Sequence, residues 1–255
     1  MKDKIITISG IILFAIILAG IIYVNLFTGE NKKEVYTKII IEGNQLQSID
    51  GYLMSSDLNK SVEYSDLTLQ EVKKRIVSHP YVKNAEVQSD GKGVINIRII
   101  EKEFMAVLLT NRKPFLLTDS FEIIRMKMNS DISELPVISN SGISDIETDG
   151  KNAKTDELVR ALKIIEAFKI VDAGMLDQLA EINLRNGRDV ILSFNGIKYP
   201  VIFGKGSEGE KIVLLSAIWN KMKNDEKLFS NSTYVDLRFN NEIFIGKPVK
   251  ADNNG

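Results

Sequence analysis

The fold is decided by the stretch NAEVQSDGKGVINIRI, residues 84–99. Apolar residues take every second position in it, with Ala85 and Val87 before the centre and three isoleucines after it. The centre, residues 89–93, carries an Asp-Gly pair that is typical of a turn. Alternation of this kind predicts two strands with one buried face each, so the stretch predicts a β-hairpin.

The residues before this hairpin predict a strand and two helices. Tyr36 to Glu42 is rich in β-branched residues and predicts a strand. A short helix is predicted near residues 49–54. A second helix begins at Thr68, which has Glu71 at the spacing of a capping box, and ends before Pro80. The first module therefore has the order strand, helix, helix, strand, strand.

The residues after the hairpin predict a second, mainly β module. Thr155 is placed to cap a helix with one apolar stripe, which indicates core packing. Asn195-Gly196 is the strongest two-residue hairpin signal in the chain. Residues 129–154 are polar and predict a long surface loop. Strands are predicted at 105–109, 115–118, 123–124, 182–184, 190–194, 197–203, 233–239 and 242–246, and a further helix around 212–222.

The N-terminal region predicts a membrane helix. Residues 5–27 carry no charge, and about 20 such residues span a bilayer core. A cleaved signal peptide has an apolar core of roughly 7–15 residues and a small-x-small cleavage site, which this run lacks. A buried core helix rarely stays uncharged over such a length. Two lysines precede the run and three follow it closely, so the charges leave the orientation open.

Composition argues against catalysis and nucleic-acid binding. The 255 residues include 33 Lys and Arg against 34 Asp and Glu, giving a net charge of −1 rather than the clustered cations that neutralise phosphates. There is no cysteine and a single histidine. The chain therefore has no cysteine for a thiol nucleophile or a thiolate metal site, and only one histidine for a histidine-based triad.

Two sequence features imitate functional sites. Residues 204–209 form the pattern GxGxxG between a predicted strand and a predicted helix, the context of a dinucleotide site. The strand before it follows a predicted hairpin turn and should pair antiparallel, whereas a dinucleotide fold needs parallel crossover units. His79 has no second histidine or cysteine to form a site, so we expect a capping or solvent-facing residue. A flexible loop is the expected role of residues 204–209.

Several strings, in this order, resemble known proteins. The order of the first module is similar to that of a POTRA domain, a small interaction module. Five stretches carry the second resemblance: His79-Pro80-Tyr81-Val82, the strand from Ile95 to Lys102, Leu135-Pro136, Phe203-Gly204 and Tyr234-Val235-Asp236-Leu237-Arg238-Phe239. Together they resemble the FtsQ/DivIB family of cell-division proteins. Residues 101–106 read EKEFMA where the family has Glu-Arg-x-Pro-x-Ala. The resemblance covers nearly the whole chain.

The resemblance implies an α+β chain with a single N-terminal transmembrane helix, a POTRA-like β-α-α-β-β domain and a mainly antiparallel β domain with two flanking helices. It also implies that the C-terminal part lies outside the cytoplasm at the division septum. The expected segments are a cytoplasmic tail (1–4), the transmembrane helix (5–27), a linker (28–34), the POTRA-like domain (35–102), the C-terminal β domain (103–248) and a disordered tail (249–255).

The implied function is that of a non-enzymatic scaffold of the division machinery, with no cofactor, metal or nucleic acid. FtsB-like and FtsL-like partners are expected to add a strand at the C-terminal β edge, because the unpaired backbone groups of an edge invite another chain. Asn84 and Val87 are expected to recruit other division proteins. The expected partner-binding residues at the C-terminal edge are Tyr234, Val235, Asp236, Leu237, Arg238, Phe239, Asn241, Glu242 and Phe244.

Two other functions compete with this one. A membrane-anchored POTRA-type chaperone or secretion accessory would use the same strand addition on different clients. A tethered nucleotide-dependent enzyme would depend on the loop at residues 204–209 alone.

Overall fold

A computed structural model describes residues 13–23, 36–59, 67–126, 134–143, 151–224, 227–239 and 242–248. The expected tails (1–4 and 249–255), the linker (28–34) and both ends of the expected membrane helix lie outside these ranges. Residues 13–23 are helical. In the described part of the chain, no helix has both the length and the apolar character that crossing a bilayer requires.

The first sheet has three strands with β3 in the centre, flanked by a parallel β1 and an antiparallel β2. Both helices begin at a residue whose hydroxyl accepts a backbone N–H three positions on, Ser48 from Gly51 and Thr68 from Glu71, each at 3.2 Å. The elements are β1 (Lys38–Glu42), α1 (Ile49–Ser55), α2 (Leu69–Val77), β2 (Val82–Ser89) and β3 (Val94–Glu101). This is the predicted order.

The second sheet has ten strands in the order β13-β12-β11-β10-β9-β7-β4-β5-β6-β8, with most neighbouring pairs antiparallel. The α+β class is confirmed, and the short helix α4 (Ala173–Leu176) was not predicted. The strands are β4 (Phe104–Thr110), β5 (Lys113–Thr118), β6 (Glu122–Arg125), β7 (Val137–Ser139), β8 (Lys151–Asn152), β9 (Leu179–Asn183), β10 (Val190–Phe194), β11 (Val201–Gly204), β12 (Tyr234–Asp236) and β13 (Phe244–Gly246). The helices are α3 (Asp156–Val171), α4 (Ala173–Leu176) and α5 (Glu208–Lys223).

The prediction of a surface loop over residues 129–154 was wrong in its middle, at β7, and near its end, where β8 pairs with β6. Val137–Ser139 forms β7, which lies inside the second sheet between β4 and β9 and runs parallel to both. Three residues are too few for a periodic pattern to be recognised, so only the long-range pairing reveals this strand. Residues 127–133 and 144–150 lie outside the described ranges.

The hairpin expected at Asn195-Gly196 is longer than predicted. A turn is present, since the N–H of Ile197 bonds to the carbonyl of Phe194 at 3.3 Å, but β11 begins only at Val201. β11 pairs antiparallel with β10, as expected, and also parallel with β12 on its other side. Because α5 connects β11 to β12, these three elements form a parallel crossover unit that the sequence argument did not foresee.

Strands β4, β5 and β6 are buried on both faces. Leu117 and Ile123 belong to the core under α3 and α5, whereas Leu116 and Ile124 belong to the core of the first sheet, together with Phe104. Strands with two buried faces have continuous apolar runs instead of alternation. The expected domain boundary at 102/103 stays a proposal, but one core extends across it.

An aromatic chain connects α1 to the second sheet. The rings of Tyr52, His79, Tyr81 and Phe104 meet edge to face with successive centroid distances of 4.7, 5.4 and 5.2 Å. His79 is only 3% exposed, and its Nδ1 accepts the N–H of Tyr81 at 3.1 Å. The expectation of a solvent-facing His79 was therefore wrong, because the turn after α2 places its ring against Tyr52 and Tyr81.

Replacing Phe104 by alanine should destabilise the first sheet, although Phe104 follows it in sequence. Deleting a buried phenylalanine costs about 3–5 kcal/mol. Urea unfolding and hydrogen exchange of the β1–β3 amides measure the effect. The matched control is Leu109→Ala on the same strand, where the side chain is 40% exposed. Retained protection of the β1–β3 amides in the Phe104 variant would contradict the shared core.

Candidate partner-binding edge

The C-terminal end of the second sheet is formed by β12 and β13. β12 pairs with β11 on one side and with β13 on the other, so its backbone groups are already occupied. The expectation that Tyr234, Val235 and Asp236 offer an open ladder was wrong, because residues 244–246 return along β12. Among the described residues, the outer strand at this end of the sheet is β13.

The alternation of backbone groups shows which residue of β13 faces outward. The N–H groups of Val235 and Leu237 point to the β11 side, where they bond to the carbonyls of Pro200, directly before β11, at 3.0 Å and of Ile202 at 2.9 Å. Residues 234 and 236 therefore direct their backbone groups to β13, where their partners are Gly246 and Phe244. It follows that Ile245 directs both its N–H and its C=O away from the sheet.

The predicted site residues fall into three groups. Val235 and Leu237 are fully buried in the core, which leaves them no surface for a partner. Tyr234, Phe239, Glu242 and Phe244 are exposed beside β13. Asp236 and Arg238 form an ion pair, and Asn241 lies outside the described residues.

The exposed aromatic residues form a surface of their own, which we call the aromatic patch: Tyr234, Phe239 and Phe244. The rings of Phe239 and Phe244 are 4.7 Å apart and 49% and 46% exposed. The ring of Tyr234 lies over Gly246, where an added Cβ would be 2.4 Å from its Cε1. Exposed aromatic rings next to an open sheet edge are typical anchors for a protein partner.

A charged cluster, formed by Arg238, Asp236 and Asp189, lies next to the aromatic patch. Arg238 bonds to Asp236 through Nη2 at 2.7 Å and to Asp189, just before β10, through Nη1 at 3.0 Å. Burial alone would raise the pKa of Asp236, but the side-chain and backbone hydrogen bonds from Arg238 hold that pKa below its ordinary value. The hydrogen bonds that Arg238 donates to the carboxylates of Asp236 and Asp189 raise the pKa of Arg238. Asp236 and Arg238 are therefore both charged at neutral pH.

The GxGxxG loop between β11 and α5 is bound on its inner side by the side chain of a lysine from α5. The ammonium of Lys211, 5% exposed, donates to the carbonyls of Phe203 at 3.0 Å and of Lys205 at 2.9 Å. Burial lowers the pKa of Lys211. A phosphate cradle presents backbone N–H groups, whereas this loop turns two carbonyls toward a cation of its own chain. The contacts therefore support a structural role for the loop.

The predicted recruitment residues of the first module lie on β2, an outer strand of the first sheet. Asn84 is exposed, and its Oδ1 accepts the N–H of Ala85 at 2.9 Å. Val87 is partly buried and packs against the core. The two side chains thus differ in setting, and of the two Asn84 is the one presented to solvent.

Sequence reasoning missed Asp189 and Lys211. Neither belongs to a local motif, because Asp189 reaches Arg238 across 49 positions and Lys211 looks like an ordinary polar residue of a helical turn. A buried lysine is unusual, so only the fold reveals it. Among the described residues, no three His, Cys, Asp or Glu side chains are grouped so that they could hold a metal ion.

The Asp236–Arg238 pair gives a testable dependence of stability on pH. Because the folded-state pKa of Asp236 lies below the ordinary 3.8, the ion pair stabilises the fold above that pH and is lost as the pH falls through the folded value. We expect D236N to lower the free energy of unfolding by about 1.5–3 kcal/mol at pH 7. Chemical unfolding between pH 7 and pH 2.5 should show this difference shrinking below pH 3.8.

The control for this experiment is D177N, which removes an exposed carboxylate after α4. It should show no comparable pH-dependent difference from the wild type. A difference between the wild type and D236N that stays constant down to pH 2.5 would contradict the charged pair.

Comparison with known proteins identifies the family. The model for the C-terminal part of the cell division protein FtsQ/DivIB matches residues 106–238, more than half of the chain. The chain is 24% identical over 181 residues to the cell division protein FtsQ of Geotalea daltonii, spanning 71% of this chain and 64% of that protein. Identity to FtsQ of a Geobacter species is 22% over 179 residues, with coverage of 70% and 64%.

The match therefore spans slightly less than two thirds of the length of these two relatives. The cell division protein DivIB of Clostridium acetobutylicum is 22% identical over 221 residues, which span 83% of this chain and 80% of that protein. The matched region contains α3, α5 and the sheet from β5 to β12, and it ends at Arg238, beside the aromatic patch. The chain belongs to the FtsQ/DivIB family of bacterial cell-division proteins.

Proposed function

We propose that this chain is a non-enzymatic, membrane-anchored scaffold of the bacterial division machinery, and that an FtsB-like partner, paired with an FtsL-like one, adds a strand to β13. The observation that carries the proposal is the aromatic patch beside the outward backbone of Ile245. Family membership supports a role in cell division. The partners themselves come from the resemblance of Tyr234 to Phe239 to the family's C-terminal string.

Strand addition and the aromatic patch contribute different parts of the binding. β13 is only three residues long and is followed by Lys247-Pro248, and proline cannot donate to a ladder. A partner strand therefore gains few backbone hydrogen bonds here. Most of the affinity must come from burying Tyr234, Phe239 and Phe244, because buried aromatic anchors dominate binding energies.

The first module offers a second, longer edge. β2 has eight residues and forms one side of the three-stranded sheet, with Asn84 occupying the N–H of Ala85 near its start. We propose that the residues around Asn84 and Val87 serve the recruitment of other division proteins. Two edges on one scaffold would let different partners bind at the same time.

Replacing Phe239 and Phe244 by alanine should weaken capture of the extracytoplasmic part of the FtsB homologue from the same bacterium. Truncating a hot-spot residue costs about 2 kcal/mol or more, which is roughly thirtyfold in Kd. Surface plasmon resonance with the immobilised partner measures the loss. The matched control is I170A on α3, since the side chain of Ile170 is 85% exposed. Unchanged affinity in the folded double variant would remove the patch as the docking site.

The variant I245P separates strand addition from packing on the patch. Proline at an outer strand is tolerated where the lost N–H faces away from the sheet, as it does at Ile245. We expect weaker binding with the patch intact. Full affinity in I245P would mean that the partner packs on the aromatic rings without extending the sheet.

The membrane anchor is tested separately. Residues 5–27 are the proposed span, with the N-terminus in the cytoplasm and the later residues outside. A reporter that fluoresces only in the cytoplasm should stay dark when fused after Gly255, and the same reporter fused before Met1 should fluoresce. A bright C-terminal fusion would overturn this topology and leave the scaffold without access to extracytoplasmic partners.

A further inference from the structure

We propose that Arg238 is a positioning residue, which fixes the aromatic patch in the arrangement that the partner binds. Its guanidinium bonds to Asp189 and Asp236, and its side chain packs against Gly204. This inference deepens the proposed function and depends on it for its binding test. It assigns a role in partner recognition to Asp189 and Gly204, which lie before β10 and at the end of β11.

The guanidinium of Arg238 bonds to two carboxylates of its own chain. Its Nε lies 3.0 and 3.1 Å from the two carboxylate oxygens of Asp236, and its Nη2 lies 2.7 Å from Oδ2. Its Nη1 lies 3.0 Å from Oδ2 of Asp189. Paired, parallel bonds of this kind fix the plane of an arginine as well as its position. All three nitrogens of the group are thus engaged within the protein.

Arg238 and the two carboxylates that hold it, those of Asp189 and Asp236, are called the clamp below. The clamp acts on the backbone that carries Phe239. The carboxylate of Asp236 also accepts the backbone N–H of Arg238 at 3.0 Å, which turns the chain directly after β12. The N–H of Glu242 then bonds to the carbonyl of Phe239 at 3.3 Å and closes the corner. Phe239 therefore leaves β12 in a fixed direction and meets Phe244 of the returning strand. Half of each ring stays exposed, so interactions within the patch alone give it little rigidity.

Gly204 makes room for the clamp. It has φ +72°, and an added Cβ would lie 2.7 Å from Cγ of Arg238. Real side chains do not approach so closely, and the positive φ disfavours any residue with a Cβ. The first glycine of the GxGxxG pattern thus leaves room for Arg238, two residues after the end of β12. Lys211, which bonds to the carbonyls of Phe203 and Lys205, holds the same loop from inside.

Direct contact between Arg238 and a partner carboxylate is the competing explanation, since the side chain is 42% exposed. The two explanations predict opposite effects of Asp189. If Arg238 binds the partner directly, removing Asp189 frees Nη1 and leaves binding unchanged or tighter. If Arg238 positions the patch, removing Asp189 loosens the clamp and weakens binding, although Asp189 itself never meets the partner.

The decisive experiment measures D189A and F239A, singly and together, on the full-length chain against the same immobilised FtsB homologue. We expect D189A to raise Kd about tenfold, the equivalent of one lost charge-assisted hydrogen bond. In the F239A background D189A should add almost nothing, because the clamp acts through Phe239. D177N serves as the control for removing a carboxylate, and G204A should weaken binding in the same way as D189A.

Hydrogen exchange of residues 237–245 in the partner-free chain distinguishes this inference from the proposed function. We expect faster exchange there in D189A, with protection in β4–β6 unchanged. The clamp is overturned if the wild-type chain binds the partner and D189A binds it with the same affinity and shows unchanged hydrogen exchange. Equal effects of D189A in the presence and absence of Phe239 would also overturn it. If the wild-type chain fails to bind the probe, the proposed function falls, and the exchange rates still decide whether the clamp exists.

Discussion

Strands β4, β5 and β6 hold the molecule together because each of their faces closes a different core. Leu116 and Ile124 complete the core of the first sheet, and Leu117 and Ile123 complete the core beneath α3. The same backbone cannot shift toward one core without opening a void in the other, and interiors tolerate voids poorly. The edges at β2 and β13 therefore keep a fixed relation, which suits the proposed scaffold with its two proposed partner sites.

The far end of the second sheet shows how a short edge is made rigid. β12 and β13 have three residues each, and Val235 of β12 and Leu237, directly after it, are buried in the core. The outer face carries the aromatic patch and the charges of Asp236 and Arg238. Hydrophobic burial fixes where β12 lies, and the ion pair fixes how the chain leaves it. Family membership, the exposed rings and the outward groups of Ile245 all support a partner-binding role for this end.

Much of the fold was predictable where local chemistry is strong. The hairpin at residues 84–99, the caps at Thr68 and Thr155 and the buried stripe of α3 are found as predicted. β7 was missed because three residues show no period, and His79 was misplaced because its neighbours in space come from α1 and β4. The C-terminal site stays a prediction, but its open ladder was placed on the wrong strand, since pairing between β12 and β13 moves that ladder to Ile245.

The sequence by itself determined the α+β class, the order of elements in the first module, the family and the residues that form the aromatic patch. These depend on periodicity, capping and motif order, which act over a few positions along the chain. Only the tertiary structure decided the outer strand, the two-sided burial of β4–β6 and the pairing of Arg238 with Asp189. Each of these joins residues far apart in sequence, and such contacts form only when the whole sheet brings their strands together.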